Sequence, residues 1–290
     1  MAPISSYFPD SCILRPLAYE SKMRRSYFIL TIVILNTAKK AACNEFIPKL
    51  GKLGGGHPSP DSQVFVVYTE PRCIASIPLV LENALSMLQA EITIVFFYNV
   101  PSNGRCVRRY IYSKPKLQEA VDTGRIILRI DARMDTTKNI YSNHNWNNVL
   151  FTNVTWWHDL KKYGNTVLCI QSDTLLCSTE LPNFTKFDYL GGPSYVPTSY
   201  KPASDTQTCP FHLNGGLSIR NIDWAISCIT AQAKLRFDWV AEDGYFNKCR
   251  KLIPTRQIRT IEAMRFSSDN GYTGCFDFKG ITECPWGVHK

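Results

Sequence analysis

What most restricts the fold of this chain is a series of short, uninterrupted apolar runs alternating with stretches of helical period. Val64, Phe65, Val66 and Val67 form one such run, and Ile77, Leu79, Leu81, Leu85 and Leu88 follow it. The pattern predicts a buried strand from Gln63 to Tyr68, a helix from Ile74 to Gln89 and a second strand from Ile92 to Tyr98. It continues with a short helix from Leu117 to Thr123, closed by Gly124, and a third strand from Ile126 to Ile130. A longer helix from Asn143 to Tyr163, rich in aromatic residues and stopped by Gly164, precedes a fourth strand from Thr166 to Ile170. Strands that are apolar throughout need cover on both faces. The alternation therefore predicts an α/β fold with a mostly parallel central sheet and helices on both faces.

The 290 residues suffice for one large domain of this kind. Gly51, Gly54, Gly55, Gly56, Pro58 and Pro60 punctuate residues 44–62, where no apolar period survives. Residues 1–60 thus read as an N-terminal extension with a linker, and residues 61–290 as the folded domain. Within the extension, Arg24 and Arg25 precede an apolar run from Tyr27 to Leu35, and Lys39 and Lys40 follow it. That run is shorter than the roughly 18 residues of a spanning helix. It has the length of a signal-peptide apolar region, although its basic residues lie well inside the chain. The competing readings are an additional strand or helix and an extension without a role. A membrane-proximal targeting segment is favoured, and with it an anchored protein of the secretory pathway (endoplasmic reticulum or Golgi lumen) over a cytoplasmic one. The sequons at Asn153 and Asn183 are compatible with that compartment.

The formal charge is +9, a balance that attracts polyanions or merely solvates a surface. The densest basic patch, Arg105, Arg108 and Arg109 followed by Tyr110 and Tyr112, is accompanied by no nucleic-acid module, so no nucleic-acid partner is expected. The 11 cysteines include no Cys-x-x-Cys pair, which argues against a zinc ribbon. Cys169, inside an apolar strand, reads as a buried small hydrophobe. Cys209, Cys275 and Cys284 are candidates for disulfides in an oxidising compartment.

Ligands of open parallel sheets bind outside the carboxyl ends of the strands. That rule directs attention to Thr69–Arg72, Tyr98–Arg105 and Gln171–Asp173. The last delivers a carboxylate at the end of an apolar strand, with Gln171 two residues earlier on the same side of an extended chain. Asp173 suits a hard divalent cation that also binds phosphate oxygens, and equally suits a turn cap. Leu213–Arg220 contains Asn214, Gly215 and Gly216. Paired glycines admit a ligand close to the backbone, and Asn214 can bond sugar hydroxyls, while Asn-Gly also favours a hairpin or bulge. Glu242 and Asp243 lie among apolar residues, as a general base or as acids at a helix N-terminus would. Trp286 and His289 suggest a docked chain end, with His289 either a structural residue or a metal ligand.

In this order these segments resemble the GT-A glycosyltransferases, and more narrowly a domain-of-unknown-function family within that group. The resemblance runs from about Gln63 to the C-terminus. It is carried by Thr69–Arg72, Gln171–Asp173, Tyr189–Pro193, Asn214–Arg220, Glu242–Phe246, Ala263–Ser267 and Trp286–His289. It implies a metal-assisted hexosyltransferase-like enzyme that moves a sugar from a UDP- or GDP-sugar donor to a hydroxyl of a glycan, protein or small-molecule acceptor, with inversion. It further implies that Asp173 and His289 hold Mn²⁺ or Mg²⁺, with Gln171 in the first position of the Asp-x-Asp motif. Asp243, or else Glu242, is then the catalytic base, and Thr69, Arg72, Gln171, Asn214, Gly215 and Gly216 serve the donor and its sugar, Arg72 either by binding phosphate or by fixing the first loop. Gln171 in place of an aspartate also admits a degenerate domain that binds without transfer. A basic nucleic-acid-binding protein ranks below both, with only charge in its favour.

Overall fold

The computed structural model describes residues 64–134, 146–179, 181, 183–194, 207–233, 241–269, 276–278, 281–283 and 285–289. The extension 1–60, its apolar run and its linker lie outside the described residues, as do Cys275 and Cys284. No described helix is long and apolar enough to cross a membrane.

Strands β1 (Val64–Thr69), β2 (Ile94–Tyr98), β3 (Ile126–Ile130) and β4 (Thr166–Ile170) are parallel neighbours in one sheet. Two further strands, β6 (Tyr189–Pro193) and β7 (Leu213–Asn221), extend it beyond β4 in the order β3-β2-β1-β4-β7-β6. β7 runs antiparallel to both β4 and β6. β1 and β4 are almost wholly buried, as their unbroken apolar runs require. The first half of the sheet is connected by α1 (Ser76–Met87), α2 (Val100–Tyr112) and α3 (Pro115–Asp122), and Gly124 follows α3 with φ +75°. The helix α2 has no counterpart in the elements predicted from the sequence, and it buries Val107 and Ile111.

The helix expected from Asn143 to Tyr163 is divided. Within the described residues it comprises α4 (Trp146–Phe151), α5 (Val154–Leu160) and a 3-10 turn at Lys161–Tyr163. The break has a local cause. The Asn153 side chain accepts the Trp156 N–H (3.0 Å) and starts a new helix where the old one would have continued. Two separately aimed helices then bring Phe151, Trp156 and Trp157 into mutual contact at 5.1–6.0 Å between ring centroids. Trp157 meets Phe246 of α7 (Glu242–Cys249) at 6.1 Å, so the aromatic cluster also seats the helix that carries the two acids.

α6 (Ile222–Ala233) follows β7 and is joined to α7 by a disulfide between Cys228 and Cys249. A second disulfide, Cys73–Cys106, ties the segment after β1 to α2. Cys169 is buried and unpaired, and burial pushes its thiol up to about 11. Cys209, one of the candidates for a disulfide, is a free buried thiol. A small sheet completes the site region, with β5 (Thr174–Leu176) antiparallel to β11 (Gly287–His289) and β11 parallel to β8 (Ser267–Asp269). A hairpin of β9 (Phe276–Phe278) and β10 (Ile281–Glu283) lies between β8 and β11 in the chain.

α8 (Thr260–Phe266) leads into β8 and carries a stability switch. Burial opposes ionisation of Glu262, but the Arg259 side chain (2.7 Å), the Arg259 N–H (3.1 Å) and Lys186 (3.2 Å) outweigh it. Together they hold the carboxyl at about 2, down from 4.5. A carboxyl depressed by folding stabilises the native state above its unfolded pKa and ceases to do so as pH falls toward its folded one. Denaturant midpoints of the native chain should therefore fall relative to Glu262→Gln as pH drops from 4.5 to about 2. Parallel curves over that window would refute the assignment.

Candidate active site at a glycine bulge

β1 and β4 end side by side, and their following segments touch. Arg72 is forked on Glu70, donating its N–H and Nε–H to Oε1 (2.9 and 2.8 Å) and Nη2–H to Oε2 (2.9 Å). It also donates to Ser172 Oγ (3.3 Å) after β4, and its guanidinium lies 5.0 Å from the Trp146 ring centre. The hydrogen bonds that Arg72 donates to Glu70 raise its pKa further against the opposing effect of burial. Arg72 is thus a fixed cation whose charge is shared with a buried carboxylate, an arrangement that locks the loop after β1. Thr69 is 2 % exposed and donates its hydroxyl to Asn147 Oδ1 (2.8 Å), so it serves the scaffold at this position.

The turn between β4 and β5 is pinned by Thr174, whose Oγ1 accepts the Gln171 N–H (3.0 Å) and whose N–H donates to Gln171 O (3.1 Å). Pairing of β11 with β5 sets His289 opposite Thr174 and returns the chain end over this turn. His289 Nε2 then lies 3.1 Å from Asp173 Oδ1 and 3.2 Å from Gln171 Oε1. The three residues, 118 positions apart at the extremes, converge. Among the described residues no three His, Cys, Asp or Glu side chains form a metal-binding group. The donor set here is one carboxylate, one imidazole and one amide oxygen. Its two spacings match neighbouring ligands around a cation with bonds of about 2.1 Å, which stand about 3 Å apart. The residues therefore fit a small divalent cation that completes its shell with water or phosphate oxygens.

β7 carries the centre of the site. Between the pairs Gly191–Ser218 and Pro193–Leu213 the register shifts, so Asn214–Leu217 form a bulge in β7. The bulge reading of Asn-Gly-Gly thus describes the backbone, inside a strand rather than at its end. The bulge passes so close to β6 that a Cβ on Gly191 would overlap Asn214 O. Asn214 Oδ1 accepts the Gly216 N–H (2.6 Å), which stiffens the bulge. A Cβ on Gly216 would overlap the His289 imidazole, and one on Gly215 would overlap Glu242 Oε1 and lie 2.7 Å from Arg220 Nη2. Two adjacent glycines thus adjoin two different charged clusters.

The second cluster is built on Arg220, which is fully buried. Its guanidinium sits 4.4, 4.7 and 5.6 Å from the ring centres of Phe151, Phe246 and Tyr189. It donates to Ser218 Oγ (3.0 Å), Gly215 O (3.2 Å) and Glu242 Oε1 (3.1 Å). Glu242 opens α7, and its N–H donates to Asn148 Oδ1 (2.8 Å). Burial pushes the Glu242 carboxyl up against the pull of Arg220. Asp243 is more open. Burial would raise its pKa, but contact with His212 and the Gly244 N–H (2.6 Å) holds it below the usual carboxylate range. His212 Nε2 stands 3.1 Å from Asp243 Oδ2.

Of the residues singled out in the sequence, Gln171, Asp173, Gly216 and His289 come together, and so do Gly215 and Glu242, with Asp243 beside them. Arg72 reaches the same turn through Ser172 Oγ while it fixes the loop after β1, and Thr69 bonds Asn147. Glu70, Arg220 and His212 were missed as participants. Arg220 had a visible signal, since an arginine inside an otherwise apolar central strand needs a buried partner. His212 had none, because its partner lies 31 positions away across an intervening helix.

A protein-family model described as "Protein of unknown function (DUF5672)" matches residues 131–289, more than half of the chain. No curated protein matches. Among solved structures, 4-diphosphocytidyl-2C-methyl-D-erythritol synthase from Anaerococcus prevotii DSM 20548 is similar at 10 % identity and a TM-score of 0.39. That match covers 65 % of this chain and 83 % of the other.

Proposed function

The chain belongs to the DUF5672 family, and from that premise we propose that it is a GT-A-type glycosyltransferase acting on a nucleotide-sugar donor. The observation that carries this reading is the Gly215-Gly216 bulge, with a cation-fitting cluster against one glycine and a carboxylate cluster against the other. Transfer of a sugar from a diphosphate needs these two functions next to each other. One balances charge on the leaving nucleotide, and the other removes a proton from the acceptor. Asp173, His289 and the Gln171 amide would hold Mn²⁺ or Mg²⁺, which when bound supplies Lewis-acid stabilisation of the diphosphate. Asn214 and the backbone of the bulge line the sugar. Asp243, the ionised and more accessible acid, is the carboxylate on which the base function rests, while Glu242 is engaged by Arg220 and fixes α7. A base opposite the leaving group gives inversion. The Cys73–Cys106 and Cys228–Cys249 disulfides support an oxidising, secretory compartment.

Calorimetric titration of the full chain with UDP, GDP and their hexose conjugates, with and without Mn²⁺, tests the donor site. One nucleotide should bind in a Mn²⁺-dependent manner, and Asp173→Ala should weaken it at least about tenfold. No binding by a folded protein, or equal binding by Asp173→Ala, would sink the reading. The neutral amide of Gln171 favours a second reading, a domain that binds the donor without transferring it. Binding without nucleotide release would select that one.

A further inference from the structure

His212 precedes the first residue of β7, and Asp243 lies in the first turn of α7. Asn247 holds these two segments together. Its Oδ1 accepts the Leu213 N–H (3.0 Å), and its Nδ2 donates to Leu213 O (2.7 Å) and to Asp243 O (2.7 Å). The result is a fixed imidazole–carboxylate pair, with Nε2 to Oδ2 at 3.1 Å. Both carboxylate oxygens are engaged, Oδ1 by the Gly244 N–H and Oδ2 by the imidazole. Asn247 Nδ2 also stands 3.4 Å from His212 Nε2, but its two hydrogens are donated to Leu213 O and Asp243 O at 2.7 Å. A carboxylate can only accept, so a neutral His212 ring carries its hydrogen on Nε2, toward Asp243, and its lone pair on Nδ1. Among the described residues nothing bonds to Nδ1. The His212 side chain is 37 % exposed and that of Asp243 23 %. The more open, unengaged basic atom of the pair therefore belongs to the histidine.

Resting on the transferase reading above, we infer that His212 is a catalytic residue that takes the acceptor's proton on Nδ1, while Asp243 orients the ring and balances its positive charge. In that step the acceptor O–H bond breaks and its proton moves to Nδ1. The acceptor oxygen forms its bond to the anomeric carbon. The bond from that carbon to the diphosphate oxygen breaks, and the electron pair leaves on the nucleotide. The imidazolium keeps its Nε2–H on Asp243 and later returns the extra proton to water. This divides the base function so that Asp243 is its electrostatic half, the logic by which a buried carboxylate supports a histidine base in other acyl- and group-transfer sites.

Two measurements on the full chain test it. Long-range ¹⁵N correlation spectra of histidine-labelled protein should show His212 with its hydrogen on Nε2, and Asp243→Asn should disturb that signal. A ring with its hydrogen on Nδ1 would overturn the inference, whatever the activity. The second is release of nucleotide from UDP- and GDP-hexoses with water as acceptor. His212→Gln keeps a donor toward Asp243 but has no basic nitrogen, so kcat should fall about 100-fold or more while donor KM stays unchanged. In His212→Gly, free imidazole should restore turnover in proportion to its concentration. Native turnover with an equally fast His212→Gln would overturn this inference alone and return the proton to Asp243. No turnover by the native chain would remove the transferase reading, and this inference with it.

Discussion

An Arg220→Met variant is expected to lose about 3–5 kcal/mol of stability, the cost of removing one partner from a buried ion pair. Methionine fills a similar volume and keeps favourable contact with Phe151, Tyr189 and Phe246, so packing changes little. What changes is Glu242, which is 7 % exposed and would face the protein interior without its cation. Ser218 Oγ and Gly215 O would also lose a donor. The companion Arg220→Met/Glu242→Leu variant should recover most of the loss, since two apolar residues in place of a buried pair are close to neutral. Denaturant melts of the two single variants and the double variant give the coupling directly. An Arg220→Met protein within about 1 kcal/mol of the native chain would show that the pair is not what holds this part of the core.

Gly216→Ala is expected to weaken Mn²⁺-dependent nucleotide binding by about 10–100-fold or more. The added Cβ would fall on the His289 imidazole, far inside the 3.0 Å that real Cβ atoms keep. The ring has little room to retreat. Its side chain is 9 % exposed, and β11 is held between β5 and β8. The backbone of the bulge is also restrained, because the Gly216 N–H is held by Asn214. His289 must therefore leave its position beside Asp173 and Gln171, and the donor set is broken without touching any of its members. Gly124→Ala is the matched control. It meets nothing within 4 Å, and its φ of +75° makes it a strained substitution of about 1 kcal/mol far from the cluster. Calorimetry on both variants reads the difference. Undiminished binding by Gly216→Ala would place the cation away from His289.

Both expectations depend on the same dipeptide, and this is where sequence and structure differ in what they disclose. Asn214-Gly215-Gly216 was visible as a point of close approach, but not what approached it. The sequence pattern led toward sugar hydroxyls. The nearest neighbours of the two glycines are side chains of the protein itself, His289 from the chain end and Glu242 from α7. Similarly, Arg72 stood out as a cation at a strand end, yet Glu70, two positions before it, decides its role.

By itself the sequence determined the buried parallel strands β1 to β4, because an apolar run short enough for a strand and apolar on both faces has few other places to go. It also determined that Asp173 stands just after one of them. Local signals were less decisive where two elements compete. Asn153 broke a helix that the aromatic period carried through, and α2 hid behind a segment without a strong period. Only the tertiary structure decided the partners: His289 with Gln171 and Asp173, Arg220 with Glu242, and His212 with Asp243. Apolar periodicity is a short-range property of the chain. A hydrogen bond or ion pair between residues 22 to 118 positions apart exists only once the intervening elements have packed and excluded the water that would otherwise satisfy both groups.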